Sequence, residues 1–247
     1  MKKIIPFVLL LMAFGPDQKR ITIWMCGDST MSIKETKTYP ETGWGMPFAY
    51  FWDSTVAVKN LAKNGRSTKT FISENLWKQV DDGLKEGDYV FIQFGHNDES
   101  KDKKERYATE DTFKMNLVKF INETRAKKAI PILFTPVSRR KFNDANESVE
   151  THLEYSAYVK QVAIAEKVLF IDLDTKSRQL YQQFGKEFSK QLFLQLKPGE
   201  HPNYPEGKED NTHFNELGAR LIAQLVLQEI RNLNTDLNQR IIVPVKK

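Results

Sequence analysis

A hydroxyl, an imidazole and a carboxylate are the parts of a nucleophilic esterase, and this chain offers few places to assemble them. Ser29 follows an apolar run in Gly27-Asp28-Ser29-Thr30. A serine hydroxyl is a poor nucleophile until a base takes its proton. The natural base is histidine, and the sequence has four: His96, His152, His201 and His213. Of these only His213 has an aspartate three residues before it, in Asp210-Asn211-Thr212-His213. On one turn of chain that spacing sets the carboxylate against Nδ1 and leaves Nε2 to receive the Ser29 proton. The oxyanion of a tetrahedral intermediate also needs donors already in place. The Ser29 N–H, the Gly65 N–H and the Asn97 side-chain amide are candidates, and Gly65 has no Cβ to keep its backbone from a substrate.

Each of these residues has a plainer reading. Ser29 is also a fair helix N-cap, and Asp210 or Thr212 could cap the last helix. Asn97 with Asp98, and Gly65, are ordinary turn formers. His96 either steadies the Asn97 loop or touches substrate. His201 is the rival base or a substrate contact, and Arg66 has the fork to meet a substrate carboxylate. His152 falls in a helical stretch with no evident partner and is expected at the surface. Trp44, in Gly43-Trp44-Gly45, is expected to pack on the sheet rather than to hold sugar.

The candidates sit at the ends of apolar runs. Ile21 to Cys26, Thr55 to Asn60, Tyr89 to Phe94, Ile130 to Thr135 and Val168 to Asp172 read as short, nearly continuous apolar strands. Between them, Asp111 to Lys128 places Phe113, Leu117, Phe120, Ile121 and Thr124 on one helical face. Val149 to Lys167 places Leu153, Ala157, Val162, Ile164 and Ala165 mostly inward. Asn215 to Leu233 repeats apolar residues at helical spacing. Short apolar strands alternating with helices give an α/β fold with a parallel sheet covered on both faces. Ligands of such folds bind beyond the carboxyl ends of the strands. Ser29, Gly65 and Asn97 all follow strands on that rim.

Composition narrows the partners. The chain has 247 residues, 40% of them hydrophobic, which suits one sizeable α/β core. Lys and Arg total 37 against 32 Asp and Glu, a net charge of +5. The densest charge run, Lys101 to Arg106, contains its own acids and reads as a solvated face. No concentrated basic stripe argues for nucleic acid. A basic surface does suit a polyanionic substrate. The single cysteine, Cys26, lies in an apolar run and is expected to be an inert buried residue. The scattered histidines have no metal-ligand spacing, and GDSTMS after the first strand is neither of the glycine-rich nucleotide loops. No metal and no cofactor is expected. Met1-Lys2-Lys3 followed by the apolar Ile4 to Phe14 reads as a signal peptide, too short for the ~20 residues of a membrane span. Residues 1–18 are therefore expected to direct export to the periplasm or medium. Residues 19–247 are expected to form one domain, acting as a monomer without a stable membrane anchor.

The blocks GDST at Gly27–Thr30, NGRS at Asn64–Ser67, FGHND at Phe94–Asp98 and DNTH at Asp210–His213 resemble the GDSL/SGNH hydrolase superfamily, in that order. With "GDSTM", "GWG" and "GDYVFIQFGHND", the chain most resembles its rhamnogalacturonan acetylesterases. The resemblance implies a flavodoxin-like three-layer α/β/α sandwich with about five parallel strands. It implies Ser29 as nucleophile, Asp210 and His213 as its partners, and Ser29, Gly65 and Asn97 as oxyanion donors, with no metal. The implied substrate is acetylated pectic polysaccharide. Other acyl esters (xylan acetyl ester, lipid or thioester) keep the same site, and an inactive carbohydrate-binding scaffold is the non-enzymatic alternative. The stretch from Lys186 to Glu209 reads as a long loop that shapes specificity.

Overall fold

A computed structural model describes residues 19–243, so the expected signal peptide lies outside the described residues. Five strands, β1 (Ile21–Gly27), β2 (Val56–Asn60), β3 (Tyr89–Gln93), β4 (Ile130–Phe134) and β5 (Leu169–Ile171), form one parallel sheet in the order β2-β1-β3-β4-β5. All five are the runs read from the sequence, with no end shifted by more than one residue. Their continuous apolar character has a direct cause. Every residue of β3 is buried, and only Thr22 of β1 is not, because both faces of the sheet are covered.

Helices α1 (Gly45–Phe48), α2 (Thr68–Ser73), α3 (Leu76–Gly83), α4 (Glu110–Ala126), α5 (Leu153–Ala165), α6 (Leu173–Phe188) and α7 (Glu216–Asn232) make the two outer layers. Alternate residues of β1 enter opposite cores. Ile21, Ile23 and Met25 pack with α1, α6 and α7, whereas Trp24 and Cys26 pack with α2 to α5. The result is the expected three-layer α/β/α sandwich with five parallel strands. Cys26 is fully buried, which pushes its thiol up and leaves it inert. Trp44 is also fully buried, edge-on to Phe48 at 5.4 Å, with its Nε1 donating to Gln93 Oε1 at 2.8 Å. It packs, as expected.

In α4 the expected face of Phe113, Leu117, Phe120, Ile121 and Thr124 is buried throughout. In α5 the expected face is only partly right. Val162 is buried as expected and Ala157 is half-buried, but Leu153, Ile164 and Ala165 are exposed, and Tyr155, Val159 and Ala163 point inward in their place. The helix begins at Leu153 rather than Val149, and its buried residues Tyr155, Val159 and Val162 follow one another at three- and four-residue spacing.

The segment read as a long loop contains β6 (Phe193–Leu196), paired antiparallel with β7 (Lys208–Phe214). Asp210 to His213 thus lie on a strand, not on a helical turn. Phe193 faces Phe214 across the pair with ring centroids 5.1 Å apart, and both are buried. Because a strand alternates sides, this anchor turns His213 the other way, toward the rim. The N-cap of α7 is Asn215, whose side chain accepts from Gly218 N, and neither Asp210 nor Thr212 caps it.

The strand order creates the place for a site. From β1 the chain steps outward to β2, then crosses back to β3 on the other side. A crevice opens at that switch, beyond the carboxyl ends of β1 and β3. The register Gly27↔Gln93 sets Ser29 beside the loop that carries Asn97.

Candidate active site

The turn after β1 is held by its own acid. Asp28 is fully buried, and its Oδ1 accepts from Thr30 N at 2.9 Å and Thr30 Oγ1 at 2.8 Å. That local bond fixes the turn that presents Ser29. Thr30 Oγ1 in turn accepts from Gln93 Nε2 at 2.7 Å, which ties the turn to β3. Gly43 lets the next segment close over this turn, since a Cβ there would lie 2.0 Å from Ser32 O.

Ser29 Oγ lies 2.9 Å from His213 Nε2. His213 Nδ1 lies 2.8 Å from Asp210 Oδ2. A carboxylate only accepts, so Nδ1 carries the proton and Nε2 is free to accept from the serine hydroxyl. Asp210 divides its oxygens: Oδ1 accepts from the N–H groups of Thr212 at 2.7 Å and His213 at 2.9 Å. One carboxylate can therefore fix both the local backbone and the imidazole. Burial alone would raise the Asp210 carboxyl. The hydrogen bond and charge of His213, with the two N–H groups, outweigh it and hold the carboxyl below the usual carboxylate range.

The loop after β2 supplies Gly65 at φ +77°, a left-handed conformation that favours glycine. Among the described residues, neither the Ser29 N–H nor the Gly65 N–H has an acceptor. Asn97 Nδ2 donates to Arg66 O at 2.9 Å and keeps its second N–H. Ser29, Gly65, Asn97 and His213 line one cleft of about 440 Å³. This is the convergence an oxyanion site requires. Asn97→Ala is expected to lower kcat on a small acetate ester by about 10²–10³, with a smaller change in KM. A kcat within a few-fold of the parent would remove the Asn97 amide from that role.

Asp98 fastens these two loops together. Its Oδ1 accepts from Thr68 N at 2.9 Å and Thr68 Oγ1 at 2.6 Å, at the start of α2. Burial pushes its carboxyl up to about 7, against the pull of the Thr68 bonds, and the charge of Asp28 adds to the rise. Between the usual carboxylate value and about 7 the folded chain holds a proton that the unfolded chain has released. Stability therefore falls as pH rises through that window. In Asp98→Asn this dependence disappears, so its melting midpoint should gain on the parent from pH about 4 to about 7 and then level. Parallel midpoints across that range would contradict it.

The remaining predicted residues divide. His96 steadies its loop, with Nε2 donating to Val137 O at 2.8 Å, and its ring also forms part of the cleft wall. Burial lowers its imidazole well below the usual value, so it stays neutral. Arg66 does not reach the cleft: its Nε and Nη2 both donate to Glu74 Oε2, at 2.9 and 2.8 Å. His201 sits in the turn between β6 and β7, where Nδ1 accepts from Asn203 N, and it does not line the cleft. Nor does any other residue of 186–209; Asn203 and Tyr204 of that segment instead bond the backbone at Thr36, Thr38 and Tyr39. His152 is not at the surface. It is 1% exposed, its Nδ1 donates to Glu99 Oε2 at 2.9 Å, and its ring centroid lies 4.1 Å from that of His96.

Two features were missed in the sequence. Lys34 is a buried ammonium whose neighbours are Ser29 O at 2.5 Å, Asn64 Oδ1 at 2.8 Å and Glu41 Oε1 at 2.6 Å. It joins the Ser29 turn to the Gly65 loop from behind. Burial lowers its ammonium from the usual lysine value, while Glu41, Asp28 and Asp210 pull the other way. A lysine five residues past Ser29 gives no periodic signal of this. The second is the charge run itself, of which Lys103 and Arg106 line the cleft with Ser100. The three-residue spacing was the available sign.

An α/β/α sandwich with a serine, a histidine and an aspartate in hydrogen-bonded line at its switch point defines a carboxylic ester hydrolase. The chain belongs to the GDSL-like Lipase/Acylhydrolase family, which it matches over residues 25–221. It is 39% identical to the rhamnogalacturonan acetylesterase RhgT of Bacillus subtilis (strain 168), across 91% of this chain and 96% of that protein. It is 34% identical to the probable rhamnogalacturonan acetylesterase YesY of the same organism, across 89% and 97%. The crystal structure of protein YxiM from Bacillus subtilis superposes with a TM-score of 0.75 at 28% identity, over 87% of this chain and 57% of that one.

Proposed function

We propose that this hydrolase removes acetyl groups from a pectic polysaccharide of the rhamnogalacturonan type. Ser29 Oγ attacks the acetyl carbonyl while His213 Nε2 takes its proton, and Asp210 holds the imidazole and the charge it gains. The oxyanion is met by the Ser29 and Gly65 N–H groups and the Asn97 amide. Collapse breaks the bond to the sugar oxygen, which leaves with the His213 proton. Water, deprotonated by His213, then attacks the acetyl-serine; acetate departs and Ser29 recovers its proton.

The observation that carries this reading is the lining of the cleft. Its walls are serine, threonine, asparagine, histidine, arginine, lysine, glutamate and glycine, with no aliphatic side chain and no phenyl or indole ring among the described residues. Such walls give a long acyl chain nothing to bury against, whereas an acetyl group needs no such surface and a sugar offers hydroxyls to polar walls. The likeness to rhamnogalacturonan acetylesterases along nearly the whole of both chains supports the choice of polysaccharide. Met1-Lys2-Lys3 and the apolar residues after it support export, which puts the enzyme where plant wall polymers are.

The test is acetate release from acetylated rhamnogalacturonan, acetylated homogalacturonan and acetylated xylan, beside hydrolysis of p-nitrophenyl acetate and p-nitrophenyl palmitate. The reading expects rhamnogalacturonan to be the best polymer and acetate the preferred acyl group. Preference for palmitate, or for xylan, would replace it.

A further inference from the structure

The charge run after the Asn97 loop is not a uniform solvated face. Successive turns wind through it: Lys103 N donates to Ser100 O at 2.9 Å, and Arg106 N donates to Lys103 O at 3.0 Å. Residues three apart therefore fall on one side. Ser100, Lys103 and Arg106 line the cleft, Lys103 from an exposed position at its edge, while Lys101, Asp102, Lys104 and Glu105 are exposed and do not line it.

The two cations are uncompensated. Other arginines near the site are spoken for: Arg66 by Glu74, and Arg139 by Glu99 and by Thr212 Oγ1 at 2.7 Å. Glu41, the carboxylate that lines the cleft among the described residues, is taken by Lys34 at 2.6 Å. Among the described residues, Arg106 and Lys103 pair with no carboxylate. Arg106 Nε is buried without any hydrogen-bond partner. Leaving a guanidinium N–H dry and unpaired costs stability, and a family of charged donors beside a cleft invites an anion. The guanidinium is also close to the reacting position. A Cβ placed on Gly65 would lie 3.5 Å from Arg106 Nη1.

We propose that Arg106, assisted by Lys103, is a carboxylate-binding subsite beside the Gly65 N–H, and that it selects esters carried on or next to a uronate residue. The planar fork of arginine accepts a carboxylate through two parallel bonds, which sets the orientation of the sugar as well as its charge. Lysine adds a point charge without that geometry. This inference rests on the reading of the site as a polysaccharide deacetylase, and it names the group by which the sugar backbone is held.

The experiment measures competition and turnover together. Trigalacturonate should inhibit p-nitrophenyl acetate hydrolysis competitively, and fully methyl-esterified trigalacturonate and equimolar sodium acetate should do so far less. In Arg106→Gln the inhibition constant of trigalacturonate should rise about 10- to 100-fold, the worth of a hydrogen bond to a charged group. In Lys103→Met, an exposed position that puts folding at little risk, the rise should be smaller and should vanish at high salt. Arg106→Lys should recover part of the loss. On acetylated rhamnogalacturonan, KM should rise in Arg106→Gln more than kcat falls.

Inhibition by free and methyl-esterified trigalacturonate alike, or a constant that neither variant moves, overturns the subsite even if the parent releases acetate from rhamnogalacturonan. Strong inhibition by trigalacturonate that Arg106→Gln relieves sustains the subsite even if the parent releases none. In that case it is the assignment of the polysaccharide that fails.

Discussion

Ser29→Ala lowers kcat on p-nitrophenyl acetate by a factor on the order of 10⁶, while its melting curve stays close to the parent's. The size follows from what is lost. Among the described residues, no other side-chain hydroxyl or thiol bonds His213 Nε2, so the covalent route closes altogether. On the proposed mechanism, the residual rate above water would come from the Ser29 and Gly65 N–H groups and the Asn97 amide, which the substitution leaves in place. The small effect on folding follows from the same geometry. Among the described residues, the Ser29 side chain makes one hydrogen bond, to His213, worth about 1 kcal/mol. The turn itself is held by Asp28 and by Lys34 on the Ser29 carbonyl, neither of which needs the hydroxyl. Kinetics and thermal melts on one preparation read both halves. A variant that loses activity only because it melts early would show the position to be structural.

Asp210→Asn lowers kcat by about 10⁴ with little change in KM. An amide at this position presents an N–H to His213 Nδ1, which drives the imidazole to its other tautomer. Nε2 then carries hydrogen and cannot accept the Ser29 proton. Substrate contacts are untouched, so binding should persist. The substitution also moves the pH dependence of stability, and the sign follows from the depressed carboxyl of Asp210. A carboxylate held below its unfolded value stabilises the fold above that value, and this contribution is lost as pH falls toward the folded one. The parent should therefore melt higher than Asp210→Asn at neutral pH, and the two midpoints should converge on acidification. Because Asp210 stays ionised down to low pH, the acid limb of kcat/KM in the parent should carry one proton rather than two. Equal midpoints at neutral pH, or a kcat within tenfold of the parent, would separate Asp210 from His213.

The five strands were legible because the physics that forms them leaves a dense mark. A strand buried on both faces must be apolar at nearly every position, as Tyr89–Gln93 is. The residues after those strands were legible too, since Ser29, Gly65 and Asn97 follow strands whose carboxyl ends must share one rim. The β6–β7 hairpin was not. β7 reads Lys-Glu-Asp-Asn-Thr-His-Phe, with only Phe214 buried, so it carries no alternating apolar pattern. What makes it a strand is pairing with β6 and the anchor of Phe193 on Phe214, and neither shows in a local window. Arg66 and Arg106 show the same limit from the other side. Both are arginines in rim loops, and the sequence offered Arg66 as the carboxylate ligand. Glu74, eight residues along, folds back on Arg66 through α2 and takes it. Arg106 is left without a carboxylate because the turn spacing of its segment points it into the cleft, away from its neighbouring acids. His152 was misread for want of Glu99, a partner 53 residues earlier that only the folded loop supplies.

The central claim is that Ser29 is the one activated hydroxyl, and a fluorophosphonate probe tests it directly. The parent should take up one equivalent, and peptide mass mapping should place it on Ser29, with labelling slowed strongly in His213→Ala. An adduct on any other residue, or a parent that hydrolyses acetate esters while Ser29 stays unlabelled, would contradict it.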